Sequence, residues 1–393
     1  MRTHTLLSTA FLLLAGTATA QWSAFHGDAQ RSGRAPLAGP TNPLLQWRRE
    51  VGGPIISSPV IAPDGTIVLG AVLKEGLHPT IDVVATRPDG TPKWSFPTAY
   101  VDTQVQSSPA IAPDGTVYVG AQDGAFYAIA SDGSLAWKHQ GASPVVQHPV
   151  VAPDGSVYVG IDGDLHAFAP DGTLLWKTNQ GDISAPGGPS LATDGTIYVF
   201  GGVQGVHTRV YAFLPDGSLR WSYDLWNTSF FVLHPPVVGP DGTIHVAADR
   251  LYALNPDGTF KWFNNLSYPL SSYGAPAVDA QGNVYLGSHW YVWKVSPQGN
   301  QVWEYQLYGG CSNFLYHTYG SPMVDPAGRV YIGLGIGKRS AIACEKRMLV
   351  LSPAGTLAGT YTFPDIPGTS SPAMAADGTI YIGNLDGGLY ALR

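Results

Sequence analysis

The chain has 393 residues, only 12% of them charged, and a formal net charge of −7. That balance argues against a nucleic-acid or anionic-membrane partner, either of which needs a basic patch. With 48 glycines and 32 prolines set between alternating apolar runs, the composition predicts a turn-dense all-β protein.

Residues 1–20 read as a secretory signal peptide: Arg2 and His4, an apolar stretch from Leu6 to Ala15, then Ala18-Thr19-Ala20 before Gln21. The apolar stretch is too short to span a bilayer. No cysteine follows it for a lipid anchor, and no later segment is apolar enough to span. The expectation is an exported monomer, periplasmic or secreted. Residues 21–40 form an N-terminal segment ahead of a repeat that fills 41–393.

The repeat is explicit. S-S-P-V-I-A-P-D-G-T-I-V-L-G spans Ser57 to Gly70, and S-S-P-A-I-A-P-D-G-T-V-Y-V-G spans Ser107 to Gly120. Further copies begin at Pro149, Pro189, Pro236, Pro276, Pro322 and Pro372, which makes eight units. A second turn follows in each unit, as in Y-A-F-L-P-D-G-S-L-R-W from Tyr211 to Trp221 and Y-A-L-N-P-D-G-T-F-K-W from Tyr252 to Trp262. In each P-D-G turn Pro presets φ, Asp suits the next position and Gly supplies the left-handed residue, so two antiparallel strands are joined tightly. A unit therefore reads strand, turn, strand, variable loop, strand, turn, strand. Four antiparallel strands make a propeller blade, and eight units make an eight-bladed propeller of four-stranded antiparallel blades. The last unit ends at Arg393 after three strands, and Leu44 to Arg49 matches the missing fourth. N- and C-terminal segments should pair in one blade and close the ring, leaving no free edge. An open solenoid would need capping units instead.

Trp47, Trp94, Trp137, Trp176, Trp221, Trp262 and Trp303 share one position in the outer strand. They are read as structural docking residues whose indoles pack between neighbouring blades and find a backbone acceptor. Gly359 stands where an eighth Trp belongs. If that position is vacant, Gly359→Trp should stabilise.

These residues resemble the PQQ-like repeat of the quinoprotein alcohol dehydrogenase-like propeller family; Ala212, Asp216, Gly217 and Trp221 carry its docking motif. Trp22 to Asp28 and Arg31 to Arg34 are similar to the segment often found ahead of such repeats. The resemblance implies two activities. The quinoprotein dehydrogenases use pyrroloquinoline quinone, calcium, a catalytic Asp and, in many members, a disulfide of adjacent cysteines. This chain has two cysteines, Cys311 and Cys344, and they are not adjacent. The outer-membrane assembly lipoprotein is a non-catalytic propeller with a lipidated Cys, which is absent here.

Both P-D-G turns of a blade should lie on one rim, and the loops of variable length on the other. Variable loops on a rigid frame are where binding resides. The candidate binding face is Trp226, Phe230 and His234 in one crossing, with Tyr308, Phe314, Tyr316, His317, Tyr319, Lys338 and Arg339 in two loops of the seventh unit. A Cys311–Cys344 disulfide would tie those two loops in an oxidising compartment. No catalytic set and no metal constellation is legible. The leading reading is an exported, non-catalytic scaffold that presents a loop-rich face to a protein or glycan of the envelope or extracellular space, with no cofactor. Whether it is an enzyme stays open. The alternatives are a divergent dehydrogenase, with pyrroloquinoline quinone and calcium, and a glycan-active hydrolase or lyase on the propeller face.

Overall fold

The computed structural model describes residues 22–55, 57–73, 80–98, 107–183, 188–202, 208–225, 234–264, 266, 274–288, 291–307, 316–337, 343–365 and 370–393. Their strands form eight antiparallel sheets arranged as blades. The first blade runs Val60–Ile61, Ile67–Leu73, Thr80–Thr86 and Pro92–Pro97 from the axis outward. The eighth runs Ala373–Met374, Ile380–Gly383 and Gly388–Leu392, and takes Leu45–Glu50 as its outer strand. Leu44 and Arg393 exchange backbone hydrogen bonds of 2.7 and 2.9 Å where the two chain segments meet. The ring is closed.

The turn chemistry appears as read. In the first blade the Gly65 N–H donates to the Ala62 carbonyl at 2.9 Å, and the Ala62 N–H to the Thr66 carbonyl at 2.8 Å. The Asp64 carboxylate accepts the Thr66 N–H at 2.9 Å, and Gly65 has φ 83°. A side chain on that left-handed residue would be strained. The middle strands of each blade are buried on both faces, as in Val117–Gly120 and Ala125–Ile129, because neighbouring blades cover them. Outer strands such as Leu135–Gln140 alternate exposed and half-buried. The apolar clusters therefore lie between blades; one joins Val60 and Val83 of the first to Val117 and Ile129 of the second.

Each outer-strand Trp reaches the next blade. The indole N–H of Trp47 donates to Pro88 O at 2.9 Å, Trp137 to Pro170 at 2.8 Å, and Trp221 to Pro256 at 3.0 Å. Trp94, Trp176, Trp262 and Trp303 do the same with Ser131, Pro215, Pro297 and Pro353. Every ring lies over the glycine of that turn. A Cβ on Gly217 would sit 2.7 Å from the Trp176 ring, and one on Gly355 would sit 2.5 Å from the Trp303 ring.

Blade seven breaks the pattern, and the space is not vacant. The eighth blade lacks the turn an indole would dock on, because its outer strand comes from the chain's other end. A Cβ on Gly359 would meet the Thr41 carbonyl at 2.0 Å and Asn42 Oδ1 at 2.7 Å. The incoming N-terminal chain fills the place of the missing Trp.

A second set of exceptions leaves cavities. Tyr118, Tyr158, Tyr198, Tyr285, Tyr331 and Tyr381 occupy one position in the second strand, where Val68 and His245 stand in blades one and five. A cavity of about 200 Å³ lies beside Val68 and one of about 300 Å³ beside His245.

Gly359→Trp should lower the melting temperature because of the Thr41 backbone clash, and an increase would show that the segment yields. Val68→Tyr should raise stability by about 1 kcal/mol, as cavity filling commonly does. A loss on thermal unfolding would mean the groove cannot take the ring.

Candidate functional site

The two rims differ in kind. In blades one to seven the glycine of the first turn lies against the second turn, as with Gly65 by Pro88, Gly155 by Pro170 and Gly195 by Pro215. Both turns thus share one rim. The opposite rim carries the hairpins between second and third strands and the crossings between blades. Blade seven is enlarged there. Its hairpin Val330–Gly337 and Ala343–Leu351 overhangs the ring, and Tyr316–Tyr319 pairs antiparallel with the overhang as an added strand. The register sets Tyr316 opposite Gly337, His317 opposite Ile336 and Tyr319 opposite Leu334. Sequence reasoning treats both stretches as loops. The V-Y-I-G-L-G-I-G alternation is the signal that one of them continues as a strand.

Of the candidate face, Tyr316, His317 and Tyr319 share this strand, and Cys344 lies in Ala343–Leu351, on the far side of Val330–Gly337. Trp226, Phe230, Tyr308, Cys311, Phe314, Lys338 and Arg339 lie outside the described residues, and with them the Cys311–Cys344 pairing. His234 lies just ahead of Val237–Val238, the inner strand of blade five. Its ring lies 6.5 Å from that of Phe25.

Phe25 belongs to the segment that organises the axis. Residues 22–39 line the inner strands from inside. The carbonyls of Ser23, Ala29, Gln30, Ser32 and Gly33 accept the N–H groups of Ile111, Leu191, Val238, Val278 and Val324 at 2.7–3.0 Å, and Trp22 pairs with Ile61. Those are the inner strands of blades one, two, four, five, six and seven. Arg31 supplies the third blade. Its guanidinium is fully buried and donates to the carbonyls of Phe25 at 3.0 Å, His148 at 3.0 Å, Pro149 at 2.8 Å and Pro189 at 3.1 Å. Gly39 approaches Met374 in the eighth.

A belt of side chains runs round the same wall at the residue before each unit's proline. Ala275 N–H donates to Ser321 Oγ, Ser321 N–H to Ser371 Oγ, Ser371 N–H to Ser58 Oγ, Ser58 N–H to Ser108 Oγ and Ser108 N–H to His148 Nδ1, at 2.7–2.9 Å. The belt stops where Gly188 and Pro235 have no polar side chain to offer. Arg31 spans the first of these gaps, between blades three and four.

Burial governs the ionisation here. It pushes the Arg31 pKa down to about 9, with Asp28 opposing, so the guanidinium stays charged at neutral pH. His26 has its ring nitrogens 2.7 Å from the Arg31 and Pro322 carbonyls; burial lowers its pKa and those carbonyls oppose the shift. His148 stacks on Phe25 with ring centres 4.3 Å apart, and burial, then Arg31, then His234 hold its pKa well below the usual value. His245, far from this cluster, falls to about 4 through burial.

These residues do not fit a quinone and calcium. A calcium ion needs several oxygen ligands, carboxylates prominent among them. Among the described residues no group of three His, Cys, Asp or Glu could hold a metal. Asp325, in the turn that follows the inner strand Met323–Val324, is committed to Arg329, Tyr331 and the Gly39 N–H. The axial guanidinium has all three nitrogens on backbone carbonyls. Sequence reasoning notes the Trp22 to Arg34 segment without giving it this place, because its contacts run through backbone carbonyls that no residue pattern announces.

The family model described as outer membrane protein assembly factor BamB matches residues 80–168 and 161–393. No curated protein matches the sequence. Among solved structures, the quinohemoprotein alcohol dehydrogenase from Comamonas testosteroni superposes with a TM-score of 0.71 at 15% identity, over 97% of this chain and 81% of that one. BamB from Moraxella catarrhalis gives 0.64 at 15% identity, over 89% and 99%. A europium-containing methanol dehydrogenase gives 0.70 at 12% identity, over 95% and 98%. At such identities the likeness is one of fold.

Arg31→Met should cost about 3 kcal/mol or more in denaturant unfolding, since it leaves buried carbonyls of blades three and four unpaired. An unchanged midpoint would contradict the clasp. A pH series tests the buried imidazoles. The unfolded chain binds protons near pH 6.5 that folded His245 takes up only near 4. Stability should therefore fall as pH drops through that window, by roughly 3 kcal/mol from this residue. His245→Tyr should flatten that slope, and an identical slope would contradict the assignment.

Proposed function

The chain belongs to the family described as outer membrane protein assembly factor BamB, and from that membership we propose that it is an exported, non-catalytic propeller whose loop-rich rim binds a protein or glycan partner. The observation that carries the reading is the axis. Phe25, His26 and Arg31 of the chain's own N-terminal segment occupy it, and the polar side-chain atoms of His26 and Arg31 are committed to carbonyls of the blades and of the segment itself. The rim opposite the P-D-G turns is then the surface that varies, and blade seven extends it with an added strand. Export rests on the signal read in residues 1–20, which precede the described residues. Among those, no helix is long and apolar enough to cross a membrane.

The test is reconstitution. The purified full-length chain is incubated with pyrroloquinoline quinone and calcium, or with a lanthanide ion, and then desalted. The expected result is no retained quinone absorbance, no stoichiometric metal and no dye reduction with alcohols or sugars. Retained quinone with turnover would replace the scaffold by a dehydrogenase.

A further inference from the structure

A cleft of about 380 Å³ opens on the variable rim over blade three. Three separate segments build it: the crossing at Ala142–Gln147, the hairpin loop at Gly160–Gly163, and the next crossing at Gly181–Ile183. Gln147 is only 3% exposed. Its Nε2 donates to the Ile183 carbonyl at 3.1 Å, which fixes the amide with Oε1 as the other terminus. Oε1 is buried and has no hydrogen-bond partner. It lies against Gly160, where a Cβ would come within 2.0 Å of it, and both residues line the cleft. Asp162 is exposed on the hairpin, with φ 52°. Its two carboxylate oxygens accept the N–H groups of Ala142 at 2.8 Å and Ser143 at 2.9 Å, so the charge is held in place.

A buried acceptor left unpaired calls for an explanation, and a bound donor group supplies one. The lining offers a fixed carboxylate and an amide oxygen, and no cationic side chain among the described residues. Glycines 160, 163 and 181 keep the walls bare of side chains. A compact group with several donors and a positive charge satisfies both oxygens, and charge-assisted bonds to the carboxylate are the strong kind. The geometry points to a primary-ammonium site: Gln147 and Asp162 receive an alkylammonium such as a lysine side chain. The inference stands apart from the scaffold reading, which survives if the cleft takes no amine.

The probe is Nα-acetyl-lysine methylamide, titrated into the full-length chain and followed by calorimetry. Its Nε-acetylated counterpart, which lacks the charge, is the control. Saturable binding should weaken at least about tenfold on Nε-acetylation, on Asp162→Asn and on Gln147→Met. Thermal unfolding of both variants separates a lost site from a lost fold, and the acetylation comparison needs no variant. Equal binding of the two probes, absence of saturation with either, or displacement of the amine by glycerol would each overturn the assignment.

Discussion

The ring depends on one contact repeated from blade to blade: an indole laid over a glycine. A flat aromatic ring reaches the neighbouring turn only if that turn carries no Cβ, and the turn needs a left-handed residue in any case. One glycine meets both demands, as Gly217 does beneath Trp176 with φ 85°. The indole N–H then takes up the carbonyl two residues before the glycine, Pro215, at 2.9 Å. A single hydrogen bond of this kind is worth about 1 kcal/mol net. Seven of them, each backed by ring burial, set the spacing of neighbouring blades and hold one rim invariant. The opposite rim is thereby freed to vary.

Closure is where this device cannot operate, and the molecule fills the gap with its own chain. The eighth blade has chain segments meeting at Leu44 and Arg393 where the others have a turn. No glycine is available to receive an indole, so blade seven carries Gly359 and the Thr41–Asn42 backbone takes the space. The same chain, a few residues earlier, has already threaded the axis. Residues 22–39 thus join the inner wall before Leu45–Glu50 completes the outer one, and a single stretch secures the ring from within and without. Arg31 stands where the belt of serines fails, which accounts for a buried cation whose partners are mostly carbonyls and not carboxylates.

The eight blades, their strand order and the closing blade were legible because turn residues obey local rules. Pro, Asp and Gly at fixed offsets determine a hairpin whatever surrounds it. The indole position was legible for the same reason, as a side chain at a constant distance from a turn. What the sequence concealed is of two kinds. Arg31 and His26 act on backbone atoms more than a hundred residues distant, and a carbonyl acceptor has no residue identity to read. The rim cleft is assembled from three segments, and Gln147 is notable only because burial leaves its Oε1 unpaired. The blade-seven strands fall between these cases. The length of the 305–347 region marked it out, while its aromatic and charged residues suggested loop and disguised the period-two pattern of a strand.

The account divides the molecule into a structural rim and a binding rim, and in-cell photo-crosslinking examines that division directly. A photoreactive amino acid would replace Lys346 or Gln180 on the variable rim, and Asp89 or Asp216 on the P-D-G rim, in the full chain within its producing cell. The account predicts a discrete crosslinked partner from the first pair of positions and none from the second. The same adduct from the P-D-G rim, or adducts from neither, would contradict it.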